Sequence, residues 1–401
     1  MASDDGGGGS DAGGDGGGAT SGDAGEDGGG ATSGDAGTAQ PCTVASGLDG
    51  FINAAMADNN IPGLSAGIVG PYGLVWSKGY GHADIDAGRL VTADTIFPIM
   101  SISKVVTAVG VMQLVEAGRL NLDTNINTYL QSMQLVHPSF PSVSMTARHL
   151  LTHTSGIAGD DYGVLQLNIK SSDAEVQPLG EMLAALLTPQ GSRYADGGNF
   201  SSNAPGTTRT YASIGTSLAG YVAESIADAG FDNLTKASIF DRLGMVNTSW
   251  RLSPYDNKRD QLAVGYTYNA TDGTFVSNEP FTFSDYPAGS IRTTVPELAR
   301  FIAALINDGT YAGQAILLPA TVAAMRVVQY PDASVNQAVG WTYTLASRTL
   351  LGHGGDDVGA STDFKYDVNT KKGAIILMNV TRRPNTDTIL DRLLTESDAC
   401  Q

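Results

Sequence analysis

Apolar residues recur at helical spacing over 43–59 (TVASGLDGFINAAMADN), and Asn-Asn-Ile-Pro-Gly ends that pattern. LSAGIVG (64–70) and GLVWSKGYG (73–81) read as two strands joined by a Pro-Tyr-Gly turn. Residues 101–118, with Val105, Val106, Val109, Val111, Met112 and Leu114, predict a largely buried helix. Further helices are expected from near Thr146, over 212–228 and over 296–308, the last with Pro296 and Glu297 in its first turn. The period then changes: 339–345, 347–353, 361–368 and 373–380 read as strands, and a helix over 384–396 closes the chain. This order predicts an α+β fold. Both ends of the chain complete an antiparallel sheet flanked by the N- and C-terminal helices, with a mainly helical domain inserted between them.

Residues 1–41 do not fit this pattern. They hold 16 of the 50 glycines, eight acidic residues and no Lys, Arg or aromatic residue, and GGGATSGDAG occurs at both 16–25 and 28–37. Without an apolar face to stack, the repeat reads as a disordered tether rather than a solenoid. The expected organisation is therefore a tether over 1–41 and one folded domain over 42–401. Removing the tether's eight charges from the net −18 leaves −10 on the domain, with no Lys/Arg cluster, which argues against nucleic acid as a partner. No apolar run is long enough for a membrane span. The two cysteines, Cys42 and Cys400, open and close the folded part. Domain termini often lie close together, so they are read as a disulfide, the alternative being two unrelated thiols of a cytosolic protein. A bridge calls for an oxidising compartment. The stretch after Met1 has no apolar core of a signal peptide. The expectation is a secreted or periplasmic protein whose export signal, or N-terminal membrane or lipid anchor, has been lost from the chain.

Three short motifs carry candidate chemistry. In Ser101-Ile102-Ser103-Lys104 the first and last side chains share a helix face, and only this one of the eight lysines has a serine three residues before it. A serine at a helix start meets unpaired N–H groups, and a lysine one turn on can accept its proton. Tyr211-Ala212-Ser213 follows PGTTRT at another predicted helix start, and a phenol beside an ammonium can pass a proton to a leaving group. His353-Gly354-Gly355 follows the strand-like RTLLG, where glycines let a substrate approach backbone donors. Each motif alone has an ordinary structural explanation: a capping serine, a packed tyrosine, a turn.

Together and in this order, the three resemble the active-site motifs of serine β-lactamases and penicillin-binding proteins, in the class C-like branch that includes esterases and D-amino-acid peptidases. RHLLTHTSGI (148–157), LGMVNTSW (243–250) and DYPAGSIRTTVPELARF (285–301) extend the resemblance over roughly 50–395. It implies a β-lactamase/transpeptidase-like fold, with Ser101 as nucleophile and Lys104 and Tyr211 sharing general acid and base duty. The backbone N–H groups of Ser101 and Asp356 would form the oxyanion hole, and Ser213, His353, Gly354 and Gly355 would contact substrate. No metal or other cofactor is required. Two positions depart from the family's usual pattern: Ser213 stands where Asn is common, and His353 where many relatives carry Lys. Both favour esters or less anionic substrates over β-lactams. The expected function is a serine hydrolase of carboxylesterase type acting on a small-molecule ester, peptide or β-lactam-like substrate. The alternatives are a D-amino-acid peptidase, a DD-carboxypeptidase or a β-lactamase, and, from another class, a non-catalytic binding protein.

Other patterns compete. Gly63-Leu64-Ser65-Ala66-Gly67 matches the elbow of α/β-hydrolases, but a helix precedes it and a strand follows, the reverse of what that elbow needs. Tyr255-Asp256-Asn257 matches Tyr-x-Asn literally but lies in a loop-like run, and Ser201-Ser202-Asn203 is a further contender. His149 and His153 are spaced like a metal pair without a third ligand cluster, so structural roles near the site wall are expected.

Overall fold

The computed structural model describes residues 44–159, 168–195, 197–345, 349–381 and 387–399. Residues 1–41, expected to be a tether, and both cysteines lie outside the described residues. Strands Gly63–Gly70 (β1), Gly73–Asp84 (β2) and Arg89–Leu90 (β3) come from the start of the domain. Thr342–Tyr343 (β4), Leu350–Asp357 (β5), Ala360–Asp367 (β6) and Lys372–Met378 (β7) come from its end. They pair antiparallel in the order β4-β5-β6-β7-β1-β2-β3, so the two ends of the chain meet where β1 lies beside β7, with Ala66 opposite Ile376. The expected α+β architecture with an inserted helical region is what the structure shows.

The main helices are Leu48–Asp58 (α1), Ser103–Glu116 (α2), Ser213–Ala227 (α3), Val295–Ile306 (α4) and Asp387–Ala399 (α5). β1 is buried along its whole length because its two faces feed two cores. Leu64, Ala66 and Ile68 pack with Leu48, Ile52 and Met56 of α1 and with Ile389, Leu390 and Leu393 of α5. Val69, on the opposite face, joins Ile375, Leu377 and the apolar sides of α2, α3 and α4. Gly67 allows that second packing: a Cβ there would sit 2.5 Å from Val295 Cγ1, in the first turn of α4. Thr294 caps α4 by accepting the Glu297 N–H, and the buried Glu297 carboxylate accepts from the Asn247 N–H at 2.9 Å and from Thr248 Oγ1 at 2.6 Å.

Several boundaries differ from expectation. β2 runs on to Asp84, and the closing helix occupies Asp387–Ala399 rather than 384–396, with 384–386 outside the described residues. Within 339–345 only Thr342 and Tyr343 are strand. Val339 and Trp341 instead go into the core, where Trp341 Nε1 donates to Met325 O at 3.0 Å. The Ser101 helix begins as a tight 3₁₀ turn over Met100–Ile102, and its α-helical part starts only at Ser103.

Candidate active site

The turn that presents Ser101 is held in an uncommon backbone state. Met100, buried to 2 % exposure, has φ of 45°, a left-handed conformation that a side-chain-bearing residue adopts only where its surroundings enforce it. One turn on, Lys104 is also buried, and its Nζ donates to Ser101 Oγ at 2.8 Å and to Ala288 O at 2.9 Å. The Ala288 carbonyl belongs to a 3₁₀ turn, Tyr286–Ala288, that α2 and α3 also grip: Thr107 Oγ1 donates to Pro287 O at 2.6 Å and Ser217 Oγ to Asp285 O at 3.0 Å. The lysine is thus aimed at the serine by a carbonyl from a remote part of the chain.

Opposite this turn runs β5, and His353-Gly354-Gly355 lies inside the strand, not in a turn. Gly355 passes so near the serine turn that a Cβ would stand 2.4 Å from Ile99 O and 2.8 Å from Ser101 N. The Leu350 carbonyl accepts from Thr344 N–H at 2.9 Å, so alternate residues of β5 from Leu350 onward turn their peptide groups toward β4. β4 pairs with β5 only at Leu351 and Gly352, so the amides of Gly354 and Asp356 face the edge beyond it. An edge N–H at Asp356, beside the amide of Ser101, has the character of an oxyanion donor.

Tyr211 precedes the N-cap of α3, and Lys104 Nζ lies 5.0 Å from its ring centroid. Its other neighbours are aromatic and cationic. The His153 ring lies 4.4 Å away centroid to centroid, and Arg209 Cζ stands 5.8 Å from the ring. His153 Nδ1 accepts the Ala212 N–H at 3.2 Å, which fixes the backbone next to Tyr211. Burial, with Arg209 and Lys104 nearby, holds this imidazole well below the usual histidine range, so it is neutral. His353 is likewise pushed down to about 4 by burial and by the charge of Lys104. Its Nδ1 lies 2.6 Å from Gly354 O. A carbonyl can only accept, so Nδ1 carries the proton and Nε2 is left as an acceptor.

Ser101, Lys104, Tyr211, Ser213, His353, Gly354 and Asp356 all line one cavity of about 330 Å³, a volume suited to a small ligand. Six residues the motifs did not single out as site residues line it with them: Met100, Phe283, Asp285, Ala288, Gly289 and Asp357. Asp357 could have been suspected from the alternation of β5, which puts it on the face of His353 and Gly355. Arg209 gives no sequence signal of its own. The competing motifs lie elsewhere. Ser65 is fully buried in β1, with Oγ donating to Thr92 O at 3.5 Å, and Tyr255 donates to Asn247 O at 2.8 Å within the core. The Ser201 hydroxyl accepts from Asn203 N–H in a local turn. His149 closes a capping box with Thr146, whereas His153 packs on Tyr211, so the two do not form a pair. Among the described residues no group of three or more His, Cys, Asp or Glu side chains is placed to hold a metal ion. No helix among them is long and apolar enough to cross a membrane.

The sheet, the helical insertion and the cavity between them define a β-lactamase/transpeptidase-like protein. The family described as beta-lactamase matches residues 48–398, and the chain belongs to that family. A penicillin-binding protein of Bacillus subtilis (strain 168) is 27 % identical over 246 residues, 59 % of this chain and 50 % of the relative. Protein flp of Staphylococcus aureus (strain NCTC 8325 / PS 47) is 24 % identical over 263 residues, 65 % of this chain and 48 % of the relative. The chain therefore spans about half the length of these curated relatives. Among solved structures, the octameric penicillin-binding protein homologue from Pyrococcus abyssi is similar with a TM-score of 0.68 at 24 % identity, over 86 % of this chain and 75 % of that one. A class C beta-lactamase is similar with a TM-score of 0.68 at 20 % identity, over 87 % of this chain and 94 % of that one.

Proposed function

We propose that this protein is a serine hydrolase of carboxylesterase type that cleaves esters or amides through an acyl-enzyme on Ser101. The observation that carries the reading is the 2.8 Å contact between Lys104 Nζ and Ser101 Oγ at the wall of a ligand-sized cavity. In this reading Ser101 Oγ attacks the substrate carbonyl while Lys104 takes its proton. The oxyanion is met by the amides of Ser101 and Asp356, and a proton passes by way of Tyr211 to the leaving group. Water then hydrolyses the acyl-serine by the reverse proton path. The neutral state of His353 supports ester over β-lactam substrates, because no fixed cation at that position would draw in a carboxylate. The penicillin-binding relatives favour a second reading, a D-amino-acid peptidase or β-lactamase using the same Ser101 chemistry.

Intact-mass labelling with a fluorophosphonate, followed by peptide mapping, tests the proposal. A single adduct on Ser101, absent in Ser101→Ala, supports it, and a panel of simple esters, D-amino-acid peptides and β-lactams separates the two readings. Folded protein that takes no label and turns over none of the panel would instead be a binding protein on this fold.

A further inference from the structure

The cations at the cavity gather around Tyr211, although Asp285 also lines the pocket near Lys104. Lys104 and Arg209 both approach the Tyr211 ring, at 5.0 and 5.8 Å, and Arg209 is held there by its Nε bond to Gln337 Oε1 at 2.7 Å. The β5 wall has the opposite character. Side chains alternate along a strand, so His353, Gly355 and Asp357 share the face that Gly355 brings against Ser101 N. On that face His353 offers Nε2 as an acceptor, and Asp357, partly buried, lines the cavity with a carboxylate. Among the described residues the hydrogen bond to that carboxylate comes from the Val358 N–H, at 2.7 Å to Oδ1. Asp356 contributes no side-chain donor here, since its own carboxylate accepts from Ser361 Oγ at 2.6 Å. A substrate lying along β5 meets acceptors and negative charge on this side. A carboxylate placed there would be repelled, and a protonated amine would be both paired and hydrogen-bonded.

We propose that Asp357 is a specificity-determining residue that selects substrates carrying a protonated amine next to the scissile ester or amide, and rejects those carrying a carboxylate there. The inference rests on the reading of the cavity as a Ser101 acyl-transfer site. Three esters with the same leaving group and matched acyl chains, bearing an ammonium, a hydroxyl or a carboxylate, test it by kcat/KM. The wild type should prefer the ammonium over the carboxylate ester by at least about tenfold, the scale of one charge-assisted hydrogen bond, and Asp357→Asn should shrink that ratio by a similar factor. Raising the salt concentration should weaken the wild type's preference for the ammonium ester over the hydroxyl ester, a readout that needs no variant. Turnover of all three esters with no charge preference overturns the inference alone, as does a ratio unchanged in an active Asp357→Asn. Failure of the hydroxyl ester to react, or equal reaction in Ser101→Ala, overturns the acyl-transfer reading and this inference with it.

Discussion

Gly355 and Ser101 approach each other so closely that a methyl group on the first would stand 2.8 Å from the backbone nitrogen of the second. The contact sets the spacing between Ser101 and the strand edge facing it. Gly355→Ala should therefore displace the serine turn or β5 rather than simply fill space. The expected loss in kcat/KM is about 10²-fold, as for other ångström-scale misplacements of reacting groups. Circular dichroism should show the fold retained while ester hydrolysis falls; unchanged kinetics would mean the two elements slide apart without consequence.

Lys104 is expected to be as necessary as the serine. Lys104→Met keeps the volume of the stem but removes the group 2.8 Å from Ser101 Oγ. Fluorophosphonate labelling and ester turnover should both drop by about 10²- to 10⁴-fold, the range for loss of a positioned proton acceptor.

Acid should destabilise the protein before most carboxylates titrate. Of the five histidines, His137, His149, His153 and His353 are all depressed, chiefly by burial, with His149 and His353 near 4. Each holds its proton less tightly folded than unfolded, so below about 6.5 the unfolded state binds more protons and stability is lost as pH falls from there. Asp363, raised to about 7 by burial, acts in the opposite sense over the same window, and the burial that raises Asp357 works in that sense too. Four groups outnumber two, and the urea midpoint should fall between pH 7 and pH 5. A midpoint that rises over that interval would contradict the neutral burial of these histidines.

The buried carboxylate of Glu297 ties the 247–248 segment to the start of α4, through bonds of 2.9 Å from Asn247 N–H and 2.6 Å from Thr248 Oγ1. Glu297→Ala leaves the amide without this acceptor and should cost about 2–4 kcal/mol in chemical denaturation, with Glu297→Gln costing less.

The Ala45 N–H donates to Glu396 Oε2 at 2.9 Å, which brings the chain just after Cys42 next to the chain just before Cys400. We propose on this ground that the two cysteines pair. Denaturing alkylation without reductant should add no mass to protein recovered from an oxidising compartment, and two adducts should follow reduction. Alkylation of both before reduction would refute the pairing.

How far the residues themselves reached is visible in particular elements. Long periodic segments were legible: α2 from its run of valines, α4 from Pro296 and Glu297, and β1 and β7 from continuous apolar stretches. Local periodicity suffices there because each element buries most of its length. Ser101, Lys104, Tyr211 and His353 were legible as candidates because the chemistry proposed for them demands fixed residue types on fixed kinds of element. Val339 and Trp341 were misread as strand because a short apolar run looks the same whether it enters a sheet or plugs a core.

The order of motifs and the two-ended sheet follow from the sequence alone, since periodicity and motif spacing are local properties of the chain. Only the tertiary structure decided what surrounds Ser101 and Lys104. The Ala288 carbonyl that orients Lys104 comes from 184 positions away in the chain. The His153 ring that supports Tyr211, the closeness of Gly355 to Ser101 and the exposure of Asp357 to the cavity depend equally on distant segments meeting. Such meetings are set by how two cores pack against the faces of one sheet, and no local pattern encodes them.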